Sequence, residues 1–148
     1  MKLVLDTSVL AKLFIAEWDR PLAVKVLADT IAAKVPVLAP SLVLYELNSV
    51  FVKNGMVGQE YDNAIRETMR MIGANNLVIR EPTEGLLREA ARIASLDTHG
   101  QGHISSFDAT FHALALQEGA TFLTADAAYV RKAKALVGRF MLLSVYTP

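Results

Sequence analysis

The sequence contains no cysteine, which excludes disulfides, haem–thiolate ligation and thiolate zinc sites. It also has no excess charge of either sign, because 15 Lys and Arg residues balance 15 Asp and Glu residues. Proteins that hold nucleic acid by bulk electrostatics are usually basic, so any such contact is expected through a local basic patch or a metal ion. Charged residues interrupt every apolar run before it reaches the length of a membrane span.

The composition is that of a folded domain. Hydrophobic residues make up 53% of the chain and charged residues 20%, which argues against disorder. The length predicts a single domain over residues 1–148. The segment before Asp6 is too short for a secretory signal, so a soluble, cytoplasmic protein is expected. The high apolar fraction is consistent with a further buried surface, such as a homodimer contact.

The first eight residues organise the rest of the prediction. A β-favouring apolar run ends at Asp6, two hydroxyl residues follow, and apolar residues then recur at helical spacing. This pattern predicts a strand, a tight turn and a helix from Ser8 to Ala16. Asp6 then lies at the carboxyl end of the strand, where ligands collect in open α/β sheets.

Further strands and helices alternate along the chain, which predicts a parallel sheet with helices on both faces. Pro21 suits the first turn of a second helix, and Ser41 is an expected N-cap of a third. A helix that begins after Pro82-Thr83 is expected to turn five apolar residues inward, namely Leu86, Leu87, Ala90, Ala91 and Ile93. The further predicted strands cover residues 35–39, 77–79, 121–124 and 140–143, and Asp126 is expected to cap a helix ending near Leu136.

Four acids stand out, and each has a structural alternative. Asp6 and Asp126 both follow a strand and precede a helix, where aspartate is a favoured N-cap. Asp108 follows Ser105 by three residues, as in a capping box. Glu46 lies within the apolar stripe of its helix, between Val43 and Val50, so it needs a buried basic partner or a metal ion.

The four alternatives do not explain why two strand ends and two helix faces place acids on the same side of one sheet. Crowded carboxylates repel one another unless a cation neutralises them. Oxygen ligands without thiolate favour Mg²⁺ or Mn²⁺ over structural zinc. Such ions activate water and stabilise phosphoryl transfer. A metal-dependent site at Asp6, Glu46, Asp108 and Asp126 is therefore predicted.

The chain resembles the PIN-domain family, in particular its small VapC-type toxins. The similarity is carried by Val4-Leu5-Asp6-Thr7-Ser8, Tyr45-Glu46-Leu47-Asn48, Phe107-Asp108-Ala109 and Thr124-Ala125-Asp126, in the family's order of acids. It implies a three-layer α/β/α fold with a five-stranded parallel sheet of order 3-2-1-4-5 and a projecting helical hairpin. It also implies metal-dependent cleavage of RNA, homodimers and a small antitoxin partner. Asp6, Glu46, Asp108 and Asp126 would be the metal-binding and catalytic set, with Ser8 and Thr124 in support.

One segment departs from the family pattern. The segment between Ile93 and Asp108 is longer than the compact segment around a glycine that is usual in the small toxins, and it contains His99, Gly100, Gly102 and His103. This difference bears on the entrance to the site and on the choice of substrate. His103 and His112 are interpreted as a loop histidine and a helix-surface histidine, outside the site. Lys12, and Arg131, Lys132 and Lys134, are candidates for phosphate contacts, although a solvated helix face is the alternative for most of them.

Three functions remain open at this point. The first is a Mg²⁺- or Mn²⁺-dependent endoribonuclease leaving a 5′-phosphate and a 3′-hydroxyl, held silent by an antitoxin. The second is phosphotransfer through an aspartyl phosphate on Asp6, which fits poorly because Ser8 stands where dehalogenase-like enzymes have a second acid. The third is a PIN-like scaffold that binds RNA or protein without cleavage.

Overall fold

The computed structural model describes residues 1–134 and 137–148. These residues form a five-stranded parallel sheet of order β3-β2-β1-β4-β5, which confirms the predicted order. β1 lies at the centre, and its register pairs Leu3 with Thr121 and Leu5 with Leu123. The strands are β1 (Leu3–Leu5), β2 (Val37–Pro40), β3 (Leu77–Arg80), β4 (Thr121–Thr124) and β5 (Phe140–Leu142).

Helices follow the strands and complete the α/β architecture. Every residue of β1 and β2 is buried, and since successive side chains point to opposite faces, both faces of the central sheet are covered. The helices are α1 (Thr7–Leu10), continued by a 3₁₀ turn (Ala11–Leu13), α2 (Arg20–Ala32), α3 (Leu42–Lys53), α4 (Gly58–Gly73), α5 (Glu84–Ala94), α6 (Ser106–Gln117) and α7 (Ala127–Ala133).

The strand order creates a switch point beside β1. The chain moves outward from β1 to β2 and β3, and it then returns to place β4 on the other side of β1. The connections that leave the carboxyl ends of β1 and β4 therefore run in opposite directions, and the crevice at such a point is the usual ligand position in these sheets. Asp6 directly follows β1, and Asp126 follows β4 by two residues.

Short-range signals explain most helix boundaries. Ser105 Oγ accepts a hydrogen bond from the Asp108 amide at 3.0 Å, as predicted for an N-cap. Gly119 ends α6 with φ of +61°, a conformation that favours glycine. Tyr61 donates its hydroxyl to Asn48 Oδ1 at 2.5 Å, which links α4 to α3 close to the turn that joins them.

Several local predictions were wrong. The first helix is shorter than predicted, because the chain tightens into a 3₁₀ turn at Ala11. Ser41 precedes α3 but makes no side-chain capping bond. Leu87 and Ala91 were expected inward and are exposed, Leu87 to 58%, whereas Leu86, Ala90 and Ile93 are buried as expected.

The predicted end of the last helix, near Leu136, lies outside the described residues, and α7 is described as far as Ala133. Within the described ranges, no helix combines the length and the apolar character that crossing a membrane requires.

Candidate metal and nuclease site

The four predicted acids come from four different elements. Asp6 and Asp126 follow β1 and β4, on either side of the switch point. Glu46 lies on the second turn of α3, and Asp108 lies in the first turn of α6. Electrostatic repulsion links Glu46 to Asp6 and Asp108, Asp6 to Asp108, and Asp108 to Asp126. We call these four residues the acid cluster.

Asp6 is the most firmly positioned member of the acid cluster. The hydroxyls of Ser8 and Thr124 both donate to Asp6 Oδ2 at 2.6 Å. Because both hydroxyls donate to the same oxygen, they fix the orientation of the carboxylate. Asp6 makes no side-chain capping bond to α1, so the alternative role of helix cap is not realised. Its pKa is raised, chiefly by burial, although both hydroxyls oppose that change.

The supporting hydroxyls also tie the two strand ends together. Ser8 Oγ accepts a hydrogen bond from the Ala125 amide at 3.0 Å, and Thr124 Oγ1 accepts one from the Asp126 amide at 3.0 Å. Each hydroxyl therefore donates to Asp6 and accepts from the segment after β4. Because both hydroxyls use their donor and an acceptor position, the position of Asp6 relative to Asp126 is well defined.

Glu46 is the member of the acid cluster that most needs a cation. It is half-buried, and its Oε1 is a buried atom without a hydrogen-bond partner among the described residues. Burial, with repulsion from Asp6 and Asp108, raises the pKa of Glu46 from 4.5 to about 7. No lysine or arginine in the described part of the chain forms an ion pair with it, so the alternative of a buried basic partner is not realised.

Asp108 and Asp126 are the two members of the acid cluster at helix N-termini. Burial is also the main cause that raises the pKa of Asp108, and repulsion from Asp126 adds to it. Asp126 is exposed, and its Oδ1 accepts hydrogen bonds from the amides of Ala128 and Tyr129 at 2.8 and 3.1 Å, so its predicted role as the N-cap of α7 is confirmed.

Across residues 1–134 and 137–148, no three acidic or histidine side chains converge in an arrangement that could hold a metal ion.

Two adjoining depressions flank the acids. The first is a cleft of about 340 Å³ that reaches Glu46 and Asp108. The second is an apolar groove of about 380 Å³ between α3, α5 and α6. Leu42, Tyr45 and Phe107 line both, and the large side chains of Tyr45 and Phe107 are 77% and 61% exposed. An apolar surface of this kind directly beside a polar site is typical of an interaction face.

Comparison with known proteins agrees with this arrangement. The sequence model of the PIN-domain family matches residues 3–135 of the chain. The chain belongs to the PIN-domain family. PIN domains are generally nucleases and typically depend on a divalent metal, so at that coarse level the chain is a hydrolase.

Two solved structures are similar to this PIN domain over nearly its whole length. One is the crystal structure of FitAcB from Neisseria gonorrhoeae, with 18% identity and a TM-score of 0.71 over 97% of this chain and 99% of that chain. The other is the structure of FitAB bound to an IR36 DNA fragment, with 18% identity and a TM-score of 0.72 over 99% of this chain and 98% of that chain. At this identity the likeness shows the fold. Among curated proteins, no sequence matches the chain significantly.

The PIN domain also contains polar residues whose placement differs from the prediction. His112 was expected on a helix surface, but it is 0% exposed. Its Nε2 donates to the Gly138 carbonyl at 2.6 Å, so its Nδ1 accepts from the Tyr129 hydroxyl at 2.7 Å. Burial lowers the pKa of His112, which favours this neutral form. The sequence offers no local signal for the pair, because the two residues lie 17 positions apart.

Lys12 was considered for phosphate contact, and the structure places it elsewhere. It is buried and paired with Glu17 and, at 2.9 Å, with Asp19. Its charge is therefore already neutralised. His103 is exposed in the loop before α6, as predicted.

Proposed function

We propose that this PIN domain is a divalent-metal-dependent endoribonuclease and the toxin of a two-protein toxin–antitoxin pair. The observation that carries the proposal is Glu46, a half-buried carboxylate with an unpaired oxygen, repelled by two further acids beside the switch point of the sheet. Such an arrangement is unfavourable for the isolated protein and favourable once a cation is bound.

The donor chemistry fits Mg²⁺ or Mn²⁺. Asp6, Glu46, Asp108 and Asp126 offer carboxylate oxygens alone, the ligands that these ions prefer. A bound ion would supply Lewis-acid stabilisation of the phosphoryl group and a lowered pKa of water. Asp6, Glu46, Asp108 and Asp126 are the residues that would hold the ion, although no three acidic or histidine side chains of the described residues converge on one point.

The residues of the chain then have separate tasks. Ser8 and Thr124 hold Asp6 in a fixed orientation through its Oδ2. A bound cation would favour the charged form of Glu46, because its positive charge would oppose the effects of burial and of repulsion from Asp6 and Asp108 that raise the pKa. In the hydrolysis itself, water adds to phosphorus and the bond to the 3′ oxygen breaks. The 3′ oxygen takes a proton, which leaves a 5′-phosphate and a 3′-hydroxyl.

RNA as the substrate and an antitoxin as the partner are inferred from the small PIN toxins that the sequence resembles. The structurally similar FitAB is a two-component assembly, and one of its structures contains DNA. In this chain the apolar groove beside the acids is an uncovered face. We propose that the partner protein covers it, so that Leu87→Glu should weaken the complex. A homodimer of the isolated chain that Leu87→Glu disrupts would instead assign the groove to a second copy.

A second candidate function is a non-catalytic scaffold. It is favoured by the lack of three converging ligand side chains within residues 1–134 and 137–148. The aspartyl-phosphate alternative has no comparable support, because the chain belongs to the PIN family. The nuclease needs a bound divalent ion, and the scaffold does not. Because an ion that binds the folded state stabilises it, Mg²⁺ or Mn²⁺ should raise the Tm of the nuclease and leave the Tm of the scaffold unchanged.

The decisive experiment is cleavage of matched single-stranded RNA and DNA by the purified protein with Mg²⁺ or Mn²⁺, compared with EDTA. Asp6→Asn should abolish cleavage, and Asp62→Asn, which removes an exposed acid on α4, should leave it unchanged. Cleavage of RNA that survives Asp6→Asn would refute the proposed site. If the metal ion raises the Tm of the protein but neither RNA nor DNA is cleaved, the proposed activity is refuted. If the metal ion leaves the Tm unchanged, the scaffold is favoured.

A further inference from the structure

A buried hydrogen bond joins α6 to α7, the two helices whose N-termini carry Asp108 and Asp126. It connects Nδ1 of His112 to the hydroxyl of Tyr129 at 2.7 Å. His112 follows Asp108 by four residues, a spacing that places two side chains on the same face of a helix. Tyr129 follows Asp126 by three residues. The bond therefore links the two helices about one turn beyond each acid.

Tyr129 also holds the first turn of α7, on which the Asp126 carboxylate is bound. The Tyr129 amide donates to Asp126 Oδ1 at 3.1 Å, beside the Ala128 amide at 2.8 Å. The Tyr129 side chain is buried, and its ring packs edge-on against Phe122 of β4, with 5.3 Å between the ring centroids. Because α7 has seven residues, it takes its position from tertiary contacts of this kind. The position of the Asp126 carboxylate therefore depends on the contacts of Tyr129.

His112 is itself held on several sides. Its Nε2 donates to the Gly138 carbonyl at 2.6 Å. Its ring stacks on Phe122 at a centroid distance of 5.3 Å and meets the Phe140 ring of β5 at 5.9 Å. A fully buried polar pair keeps its geometry, because breaking the bond would leave two polar groups unpaired in an apolar surrounding. His112 thus fixes Tyr129 relative to α6 and to the sheet.

Aromatic packing already joins α6 to β4 next to this pair. Phe111 of α6 stacks on Phe122, with 6.3 Å between their ring centroids. A polar pair in the same core adds a desolvation cost that apolar side chains would avoid. In return it gives direction, because a satisfied buried hydrogen bond specifies one arrangement of its partners. The pair therefore points to a need for a defined orientation of α7 relative to α6.

We propose that His112 and Tyr129 are positioning residues of the metal site, because their hydrogen bond sets where Asp126 stands relative to Asp108. This inference rests on the nuclease function proposed above. Both side chains are buried, so each acts on the site through the helix that carries an acid. Metal ligands need to be held within about 0.5 Å of their working positions, and loss of a group that supports a ligand typically costs about 10- to 100-fold in metal affinity or activity.

The test removes the hydroxyl and keeps the ring. Tyr129→Phe retains the packing on Phe122 and loses the bond to His112. Thr68→Val is the matched control, because it also removes a buried hydroxyl, one that donates to the Ala64 carbonyl within α4 at 2.9 Å. For each protein, the Kd for Mn²⁺ is measured by electron paramagnetic resonance of the free ion. The Tm is measured by circular dichroism, and kcat and KM are measured on a labelled single-stranded RNA at saturating Mn²⁺.

A positioning role has a signature that a purely structural role lacks. Both variants should lower Tm, but Tyr129→Phe alone should raise the Kd for Mn²⁺ about tenfold and lower kcat about tenfold. The KM for RNA should stay close to that of the wild type, because the altered group is buried away from the substrate. A Tyr129→Phe variant that binds Mn²⁺ and cleaves RNA like Thr68→Val would overturn the proposal.

A double variant tests whether the effect passes through Asp126. In the Asp126→Asn background, Tyr129→Phe should raise the Kd for Mn²⁺ no further, because the carboxylate that it positions is already gone. An equal further loss in that background would contradict action through Asp126.

Failure of the proposed function is distinguishable from failure of this inference. A wild-type protein that binds no Mn²⁺ refutes the metal site, and the positioning role falls with it. A wild-type protein that binds Mn²⁺ and cleaves no RNA refutes the nuclease, while the Kd values still decide the role of the pair. A wild-type protein that does both, with an unchanged Tyr129→Phe variant, refutes the positioning role alone.

Discussion

Replacing Glu46 with glutamine should stabilise the metal-free protein at alkaline pH. The folded protein raises the pKa of Glu46 from 4.5 to about 7, so it holds this proton more tightly than the unfolded chain does. Below pH 4.5 both states are protonated and the side chain has no net effect. As the pH rises from 4.5 to about 7 the folded state loses stability, and above 7 the whole penalty applies.

The size of the effect follows from the same values. A tenfold difference in proton affinity is worth about 1.4 kcal/mol, which gives an upper limit of about 3 kcal/mol for Glu46. Glu46 is half-buried, and solvent screening reduces this limit to about 1 to 2 kcal/mol. For a chain of this length, Glu46→Gln should therefore raise Tm by about 3 to 6 °C at pH 8.

Thermal melting in EDTA at pH 5 and pH 8 measures this difference. The Tm of the Glu46→Gln variant should be higher than that of the wild type at pH 8, and the two Tm values should become similar towards pH 5. Glu81→Gln is the matched control, because Glu81 is exposed between β3 and α5. Saturating Mg²⁺ should stabilise the wild type and narrow the gap, because the ion binds only the folded state. A Glu46→Gln variant no more stable than the wild type at pH 8 would refute the assignment of Glu46 as a strained carboxylate.

Two further substitutions test the polar contacts around the site. Thr124→Val removes the buried hydroxyl that donates to Asp6, so it should lower the unfolding free energy by about 1 to 3 kcal/mol and reduce cleavage. Thr124→Ser keeps the hydroxyl and should restore both the stability and the cleavage. Normal cleavage by the Thr124→Val variant would refute the orienting role of this hydroxyl. His112→Phe leaves the Tyr129 hydroxyl and a backbone carbonyl without their hydrogen-bond partner, so it should lower the unfolding free energy measured by urea denaturation by about 2 to 4 kcal/mol. An unchanged midpoint of the urea transition would contradict the buried pair.

The fold was predictable because its signals are short-range. Brief apolar runs followed by turn residues locate the strands, and the repeated pattern at Asp6 and Asp126 marks two strand ends. The order of the strands came from resemblance to a family, and the structure confirms it. The inward position of Glu46 was predicted from helical periodicity, since Val43 lies three residues before it and Val50 four residues after it; in the structure Val43 is buried and Val50 is half-buried.

Errors arose where contacts join residues distant in sequence or depend on neighbouring elements. His112 is buried because Tyr129 and Gly138 supply partners for both of its ring nitrogens, and neither partner lies within its own helix. Leu87 fits the apolar spacing of α5 and yet faces the open groove, because no element of the described chain covers it.

The most direct test of the central claim is the binding of Mn²⁺, followed by electron paramagnetic resonance of the free ion. The wild-type protein should remove Mn²⁺ from solution in a saturable, stoichiometric manner at pH 8. Asp6→Asn and Glu46→Gln should each greatly weaken this binding, and Asp62→Asn should not. Binding by the Asp6→Asn variant equal to that of the wild type, or no binding by the wild type, would contradict a metal site at the acid cluster.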